Sequence, residues 1–261
     1  MIYFIGAGPG AVDLITVRGK TLLEQADVVI YAGSLVNPEL LNVTKKECVV
    51  YDSAGMTLEE VLAVMVPANR AGKLVVRLHT GDPSIYGAIR EQMDLLDAEG
   101  LYYEVVPGVS SFFGAAASLK KEYTLPDISQ TVIITRMEGR TPVPPKEDIA
   151  LLASHQATMA IFLSTGLLEN LSAKLMEGGY AADTPAAIVY KATWPDEKQF
   201  RCTVGTLART AKENNITKTA LILVGRFLGN DFERSKLYDP AFTHEFREGN
   251  DPLPSWTEGL K

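Results

Sequence analysis

Short apolar runs that stop at glycine-rich turns and restart as helical patterns constrain this chain more than any other feature. In the first half, the runs at 2–6, 27–32, 73–79 and 102–106 read as strands. Patterns near 16–26, 57–70, 87–99 and 109–119 read as helices. Thr57 with Glu60 forms a capping box that opens the second of these helices. Strands alternating with helices predict a largely parallel sheet covered on both faces. The strand-to-helix loops then gather at its C-terminal edge, where such folds bind ligands.

The composition shifts near 120, where "KKEYTLPDIS" separates two apolar patterns as a linker would. A second block of strands follows at 131–136, 157–163, 186–190, 199–204 and 219–225, with helices at 147–153, 166–177 and 205–213. The expected fold class is α/β, with two α/β domains over 1–120 and 121–230 and a cleft between them. Residues 137–146, "MEGRTPVPPK", read as a proline-rich mobile loop, and 231–261 as a polar tail packed over the surface. No internal repeat and no low-complexity segment stands out.

Several function classes are set aside at this level. Hydrophobic residues at 46% and charged residues at 22% suit a soluble globular protein. No run of about 18 apolar residues suggests a membrane span. The opening MIYFIGAGPG has no basic region ahead of its apolar stretch and reads as a first strand, not a signal peptide. A net charge of -7 argues against a nucleic-acid partner, which calls for a basic face, but leaves an anionic small molecule open. Cys48 and Cys202 match no metal or redox spacing and read as reduced thiols of a cytoplasmic protein. His79, His155 and His244 have no partner at metal-ligand spacing, so no metal is expected.

Two glycine loops at strand ends point to a site without naming its ligand. "GAGPGA" at 6–11 matches G-x-G-x-x-A, a dinucleotide fingerprint. That reading also needs an acid at the end of the second strand, to hold ribose hydroxyls. The second strand instead ends in Tyr31, Ala32 and Gly33, and Asp27 stands at its start. Pro9 removes an N–H from the loop that should cradle pyrophosphate. A dehydrogenase is therefore disfavoured. "RGKT" at 18–21 imitates the tail of a phosphate loop but lies inside a predicted helix, without the upstream glycine spacing. No nucleophilic triad stands out. In "HTGDPSIYG", 79–87, His79 and Asp82 are acid–base candidates. His79 can equally be an ordinary strand-end residue, and Asp82 a turn residue bonded to its own backbone.

"IGAGPGAVDLITVRG", "TGDPSIYG" and "VVPGVSSFFGAAA" occur in this order, each after a predicted strand. Together they resemble the loops of the tetrapyrrole (precorrin) methyltransferases, over Met1 to about Leu228. Within that family, "VVIYAGSLVNPELL" (28–41) and "YDSAGMTLEE" (51–60) look like the branch that methylates C11 of precorrin-4 or cobalt-precorrin-4. The resemblance implies S-adenosylmethionine folded into the cleft, a tetrapyrrole in a trough above it, and a homodimer with no nucleic-acid or membrane partner. Carried over by motif, Pro9, the turn Thr80-Gly81-Asp82, Ile85, Ser110 and Ser111 would meet the cofactor. Leu163, Ser164 and Thr165 of "FLSTG", Ala192 of "YKAT" and Ala220 of "KTALILVG" would meet its adenine and ribose. Relatives often carry glycine where Thr80 stands and methionine-glycine near Thr165.

Adenosylmethionine has no phosphate but packs a sulfonium, a carboxylate and an amine close together, which glycine turns let backbone groups reach. Tyr31 and Ser34 are expected on the trough wall. Arg77 and Arg136, with Arg90, Lys120 and Arg140, are candidates to pair with substrate carboxylates. Asp82, ahead of His79, is the candidate for proton balance on the macrocycle. Competing readings are a sister enzyme acting at another ring carbon, an RNA or protein methyltransferase of the same fold, and a non-catalytic binding module.

Overall fold

The computed structural model describes residues 1–233 and 235–249; the remainder of the polar tail read over 231–261 lies outside the described residues. The chain divides into two compact units. The first comprises Met1–Lys120, Ile188–Phe200 and Asn214–Leu221, and the second Lys121–Ala187, Arg201–Glu213 and the chain from Ile222 onward. No helix among the described residues is long and apolar enough to cross a membrane.

The first sheet holds β1 (Ile2–Gly6), β2 (Val28–Tyr31), β3 (Val49–Asp52), β4 (Val75–His79) and β5 (Tyr103–Val106). Their order is β3-β2-β4-β1-β5 and every pairing is parallel. Helices α1 (Val17–Gln25), α2 (Leu58–Arg70), α3 (Arg90–Ala98) and α4 (Ser111–Leu119) join the strands. Side chains alternate across the sheet. Ile2, Phe4, Val28, Ile30 and Val75 pack on Val61 and Met65 of α2 and Leu96 of α3. Ile5, Val29, Val76 and Leu78 pack on the opposite face against Leu23 of α1. This double burial is why the strands read as continuous apolar runs. The capping box is formed: Thr57 Oγ1 accepts from Glu60 N, and Glu60 Oε2 accepts from Thr57 N.

The second sheet holds β6 (Val132–Arg136), β7 (Thr158–Phe162), β8 (Pro185–Tyr190), β9 (Lys198–Thr203) and β10 (Ala220–Val224), in the order β6-β7-β10-β8-β9. β6 and β7 run parallel, and β7 and β10 antiparallel. Helices α5 (Ile149–Ala153), α6 (Leu168–Glu177) and α7 (Leu207–Glu213) complete the set. One strand was not foreseen: β3 is an edge strand of four residues, all exposed, so it shows neither alternation nor a buried run.

The sheet order brings the C-terminal ends of β4, β1 and β5 side by side, and three glycines let their backbones touch. A Cβ placed on Gly6 would lie 2.5 Å from Gly108 Cα and 2.6 Å from the Gly81 carbonyl oxygen; one on Gly108 would lie 2.2 Å from that same oxygen. Any side chain there forces backbone apart. We expect Gly6→Ala to destabilise the fold by about 1–3 kcal/mol or more, the usual range for overpacking. Gly55→Ala, where a Cβ meets nothing within 4 Å, should leave stability unchanged. Thermal unfolding of the two variants checks this, and equal melting temperatures would remove the close-contact argument.

Candidate functional site

The site grows from the ends of β1, β4 and β5. The loop after β1 and the loop after β4 pair through backbone alone: Gly81 N donates to Gly8 O at 2.8 Å and Gly8 N to Gly81 O at 3.2 Å. Ala7 N donates to His79 O at 2.7 Å. Gly8 and Gly81 take φ of 82° and 60°, values that favour glycine.

Three further polar groups of the first loop are also engaged. Pro9 O accepts from Trp194 Nε1 at 3.2 Å, Gly10 O from Asn37 Nδ2 at 2.9 Å, and Ala11 N donates to Thr193 Oγ1 at 3.0 Å. Pro9 has no N–H. With the Gly8 and Ala11 amides already donated, this loop cannot offer the array of free amides that a pyrophosphate needs. Asp27, too far from the strand end to meet a ribose, accepts from Leu74 N and pairs with Lys45.

Asp82 ties the second loop to the third. Its Oδ1 accepts from Ser84 N at 2.9 Å and from the Ser84 hydroxyl, and its Oδ2 accepts from Gly108 N at 2.8 Å. Burial works against its charge, but the bonds from Ser84 and Gly108 outweigh it and hold the carboxyl below the usual aspartate value. Asp82 is therefore an anion with both oxygens occupied. Tyr86 and Ala88, further along this loop, hold positive φ of 55° and 49°.

His79 and Arg77 project from β4 on the α2–α3 face, and both are buried. Burial, and then the Arg77 charge, push the His79 imidazole down to about 3, so it is neutral near pH 7. Its Nε2 is buried with no hydrogen-bond partner among the described residues. Arg77 donates from Nε to Gln92 Oε1 and from an η nitrogen to Ile30 O, both at 3.2 Å, and burial lowers it to about 10. It thus grips the end of β2 just before Tyr31.

Of the other sequence-derived residues, Thr80 is half-buried and Ser110 buried at the start of α4, where its hydroxyl makes no capping bond; Ser111 opens that helix. Ile85 N closes a turn onto Asp82 O at 3.3 Å. Tyr31 is half-buried and Ser34 exposed. Ala192 is buried between Lys191 and Thr193, which both have positive φ, and Ala220 opens β10. In the second unit, Leu163 is exposed with φ of 51°, and Thr165 is buried. Ser164 Oγ donates to Phe162 O and accepts from Met137 N at 2.9 Å. Arg136 donates to the Met137, Thr141 and Pro142 carbonyls and so braces the proline-rich loop. Sequence reasoning missed Trp194, Thr193 and Asn37. A tryptophan in the otherwise polar "TWPDEK" was the one available signal.

The model of the Tetrapyrrole (Corrin/Porphyrin) Methylases matches residues 1–208. A cobalt-precorrin-4 C(11)-methyltransferase of Methanocaldococcus jannaschii is 55% identical over 250 residues, covering 95% of this chain and 96% of its own. One from Priestia megaterium is 52% identical over 252 residues, covering 95% and 98%. The X-ray structure of a cobalamin biosynthetic enzyme, cobalt precorrin-4 methyltransferase, superposes with a TM-score of 0.86 at 52% identity, over 88% of this chain and 96% of that one.

The Asp82 bonds give a pH signature. Asp82→Asn sets an NH₂ donor against N–H or O–H donors, and we expect a loss of about 1–3 kcal/mol near neutral pH. The folded pKa lies below the unfolded one, so this stabilisation is complete above the unfolded value of about 3.9 and fades as pH falls through the folded value. Wild type and variant should therefore converge in acid. Urea unfolding near neutral pH and at about pH 3 measures the gap; a gap of the same size at both, or none at neutral pH, contradicts the assignment.

Proposed function

The chain belongs to the tetrapyrrole (corrin/porphyrin) methylases, and we propose that it transfers a methyl group from S-adenosylmethionine to C11 of precorrin-4 or cobalt-precorrin-4. The likeness, over nearly all of the chain, to relatives named for that reaction carries the substrate assignment. The loops support the cofactor. The Gly8, Ala11 and Gly81 amides donate within the protein, as suits a ligand without phosphate. A Cβ built on Gly81 would lie 3.4 Å from Ser110 Cα, so this turn runs beside the uncapped start of α4. Bound there, S-adenosylmethionine supplies a methyl group made electrophilic by its sulfonium.

Pro9, Thr80, Gly81, Asp82, Ile85, Ser110, Ser111, Ala192 and Ala220 are the first-unit residues assigned to it. Asp82 serves by keeping two loops in register. His79 is neutral and its Nε2 is buried, so it lines the sheet and does not act as a base, and Asp82 remains the acid–base candidate for proton balance on the macrocycle. An electron-rich ring carbon needs no strong base, and positioning alone is worth roughly 7–11 kcal/mol in well-oriented reactions. On the substrate side, Tyr31 and Ser34 make contact and Arg77 holds the strand that presents them. A cytoplasmic homodimer is part of the same reading, on the strength of the family resemblance.

With carbon-13 methyl S-adenosylmethionine and precorrin-4 or its cobalt form, the product should gain one label at C11 by carbon NMR. Label at another carbon would refute the branch and leave the family standing. Tyr31→Ala and Ser34→Leu should lower turnover and leave adenosylhomocysteine affinity within a few fold. Equal loss of cofactor affinity in both would move substrate choice elsewhere.

A further inference from the structure

The segment Lys191–Glu197 lies far in sequence from the first glycine loop, yet within the first unit it holds that loop from three sides. The Trp194 ring fills the space a Gly10 side chain would need, 2.1 Å from a Cβ placed there, and its N–H bonds to Pro9 O. Thr193 Oγ1 accepts from Ala11 N. Thr193 Cγ2 and Pro9 both crowd Gly114 of α4, at 3.1 and 3.0 Å from a Cβ built on it.

The segment is itself secured. Glu197 Oε2 accepts from Thr193 N and from the hydroxyl of Ser118 on α4, both at 2.5 Å, and its Oε1 accepts from Gln199 at 2.8 Å. Lys191, paired with Asp196 at 2.7 Å, lies 5.2 Å from the Trp194 ring centroid. Thr193 has φ of 69°. For a β-branched residue that is an outlier, of the kind that persists only where its surroundings enforce it and that gathers at ligand clamps.

We propose that Lys191–Glu197 is a clip in which Thr193 and Trp194 are positioning residues: they fix the Pro9–Ala11 turn in the conformation that receives S-adenosylmethionine. This rests on the reading that the first loop faces that cofactor. Replacing Thr193 by glycine separates positioning from folding, because glycine takes φ of 69° without strain while the acceptor for Ala11 N is lost. Thr193→Ser keeps that acceptor, and Trp194→Phe keeps a ring but loses the N–H.

The experiment is calorimetric titration of adenosylhomocysteine into wild type and the three variants, with thermal melting and the KM and kcat for S-adenosylmethionine. Thr193→Gly should melt no lower than wild type yet bind about five- to tenfold more weakly, as befits one lost hydrogen bond, and raise KM more than it lowers kcat. Trp194→Phe should weaken binding by a similar factor, and Thr193→Ser should stay near wild type. In a Trp256→Phe background Trp194 is the sole tryptophan, and its emission should shift on adding adenosylhomocysteine. Wild type that fails to bind adenosylhomocysteine would overturn the cofactor reading itself. Wild type that binds, with both Thr193→Gly and Trp194→Phe unchanged, would overturn the clip alone. An affinity loss that merely follows a lower melting temperature, and that serine does not restore, would reduce the segment to scaffold and also overturn it.

Discussion

The constraint on which the site depends is the mutual contact of Gly6, Gly81 and Gly108. Neighbouring strands in a parallel sheet lie about 4.8 Å apart, and loops leaving adjacent strand ends usually diverge around their side chains. Here they converge, because no Cβ stands between them. The Gly8–Gly81 bridge and the Asp82–Gly108 bond then become possible, joining three loops into one piece. The surroundings follow from that piece. Asn37 reaches Gly10 from the loop after β2, and Trp194 and Thr193 reach Pro9 and Ala11 from the later segment. The site is built from backbone, and side chains serve mainly to hold it.

This explains which parts were legible in the sequence. Strands buried on both faces and helices with capping boxes carry local signals, and nearly every element was read within a few residues. The glycine loops were legible as places where backbone approaches something. What they approach is partly one another, and local pattern does not encode that. The Trp194–Pro9 bond joins residues 185 apart, and no period or turn rule reaches that far. β3 escaped for the opposite reason: four exposed residues give no pattern to read. Asp82 could be read as a turn residue or as an acid. The structure gives it a turn bond to Ser84, and a second oxygen on Gly108 that only the folded sheet supplies.

The electrostatics of β4 follow a similar logic. Arg77 and His79 are two residues apart on one strand, so they face the same side of the sheet. A guanidinium loses solvation on burial, and here two neutral acceptors, Ile30 O and Gln92 Oε1, meet part of its demand. Its charge and its burial together keep His79 unprotonated. A second cation at the strand end would be repelled by Arg77, so the pair settles as one charged and one neutral group.

Arg77 also links parts that would otherwise be independent. Through Ile30 O it holds the end of β2, from which Tyr31 and the following turn emerge. Through Gln92 it reaches α3, and Gln92 in turn donates to Ala88 O at the end of the strained loop after Asp82. The loop after β4 and the end of β2 therefore share one buried anchor. A lysine could not replace it, since a single ammonium does not span two acceptors in the fixed fork of a guanidinium. Neutral hydrogen bonds at 3.2 Å are individually modest. The two acceptors offset only part of the cost of burying this charge, and what the burial yields is alignment: the end of β2 and the loop after β4 are held to one strand.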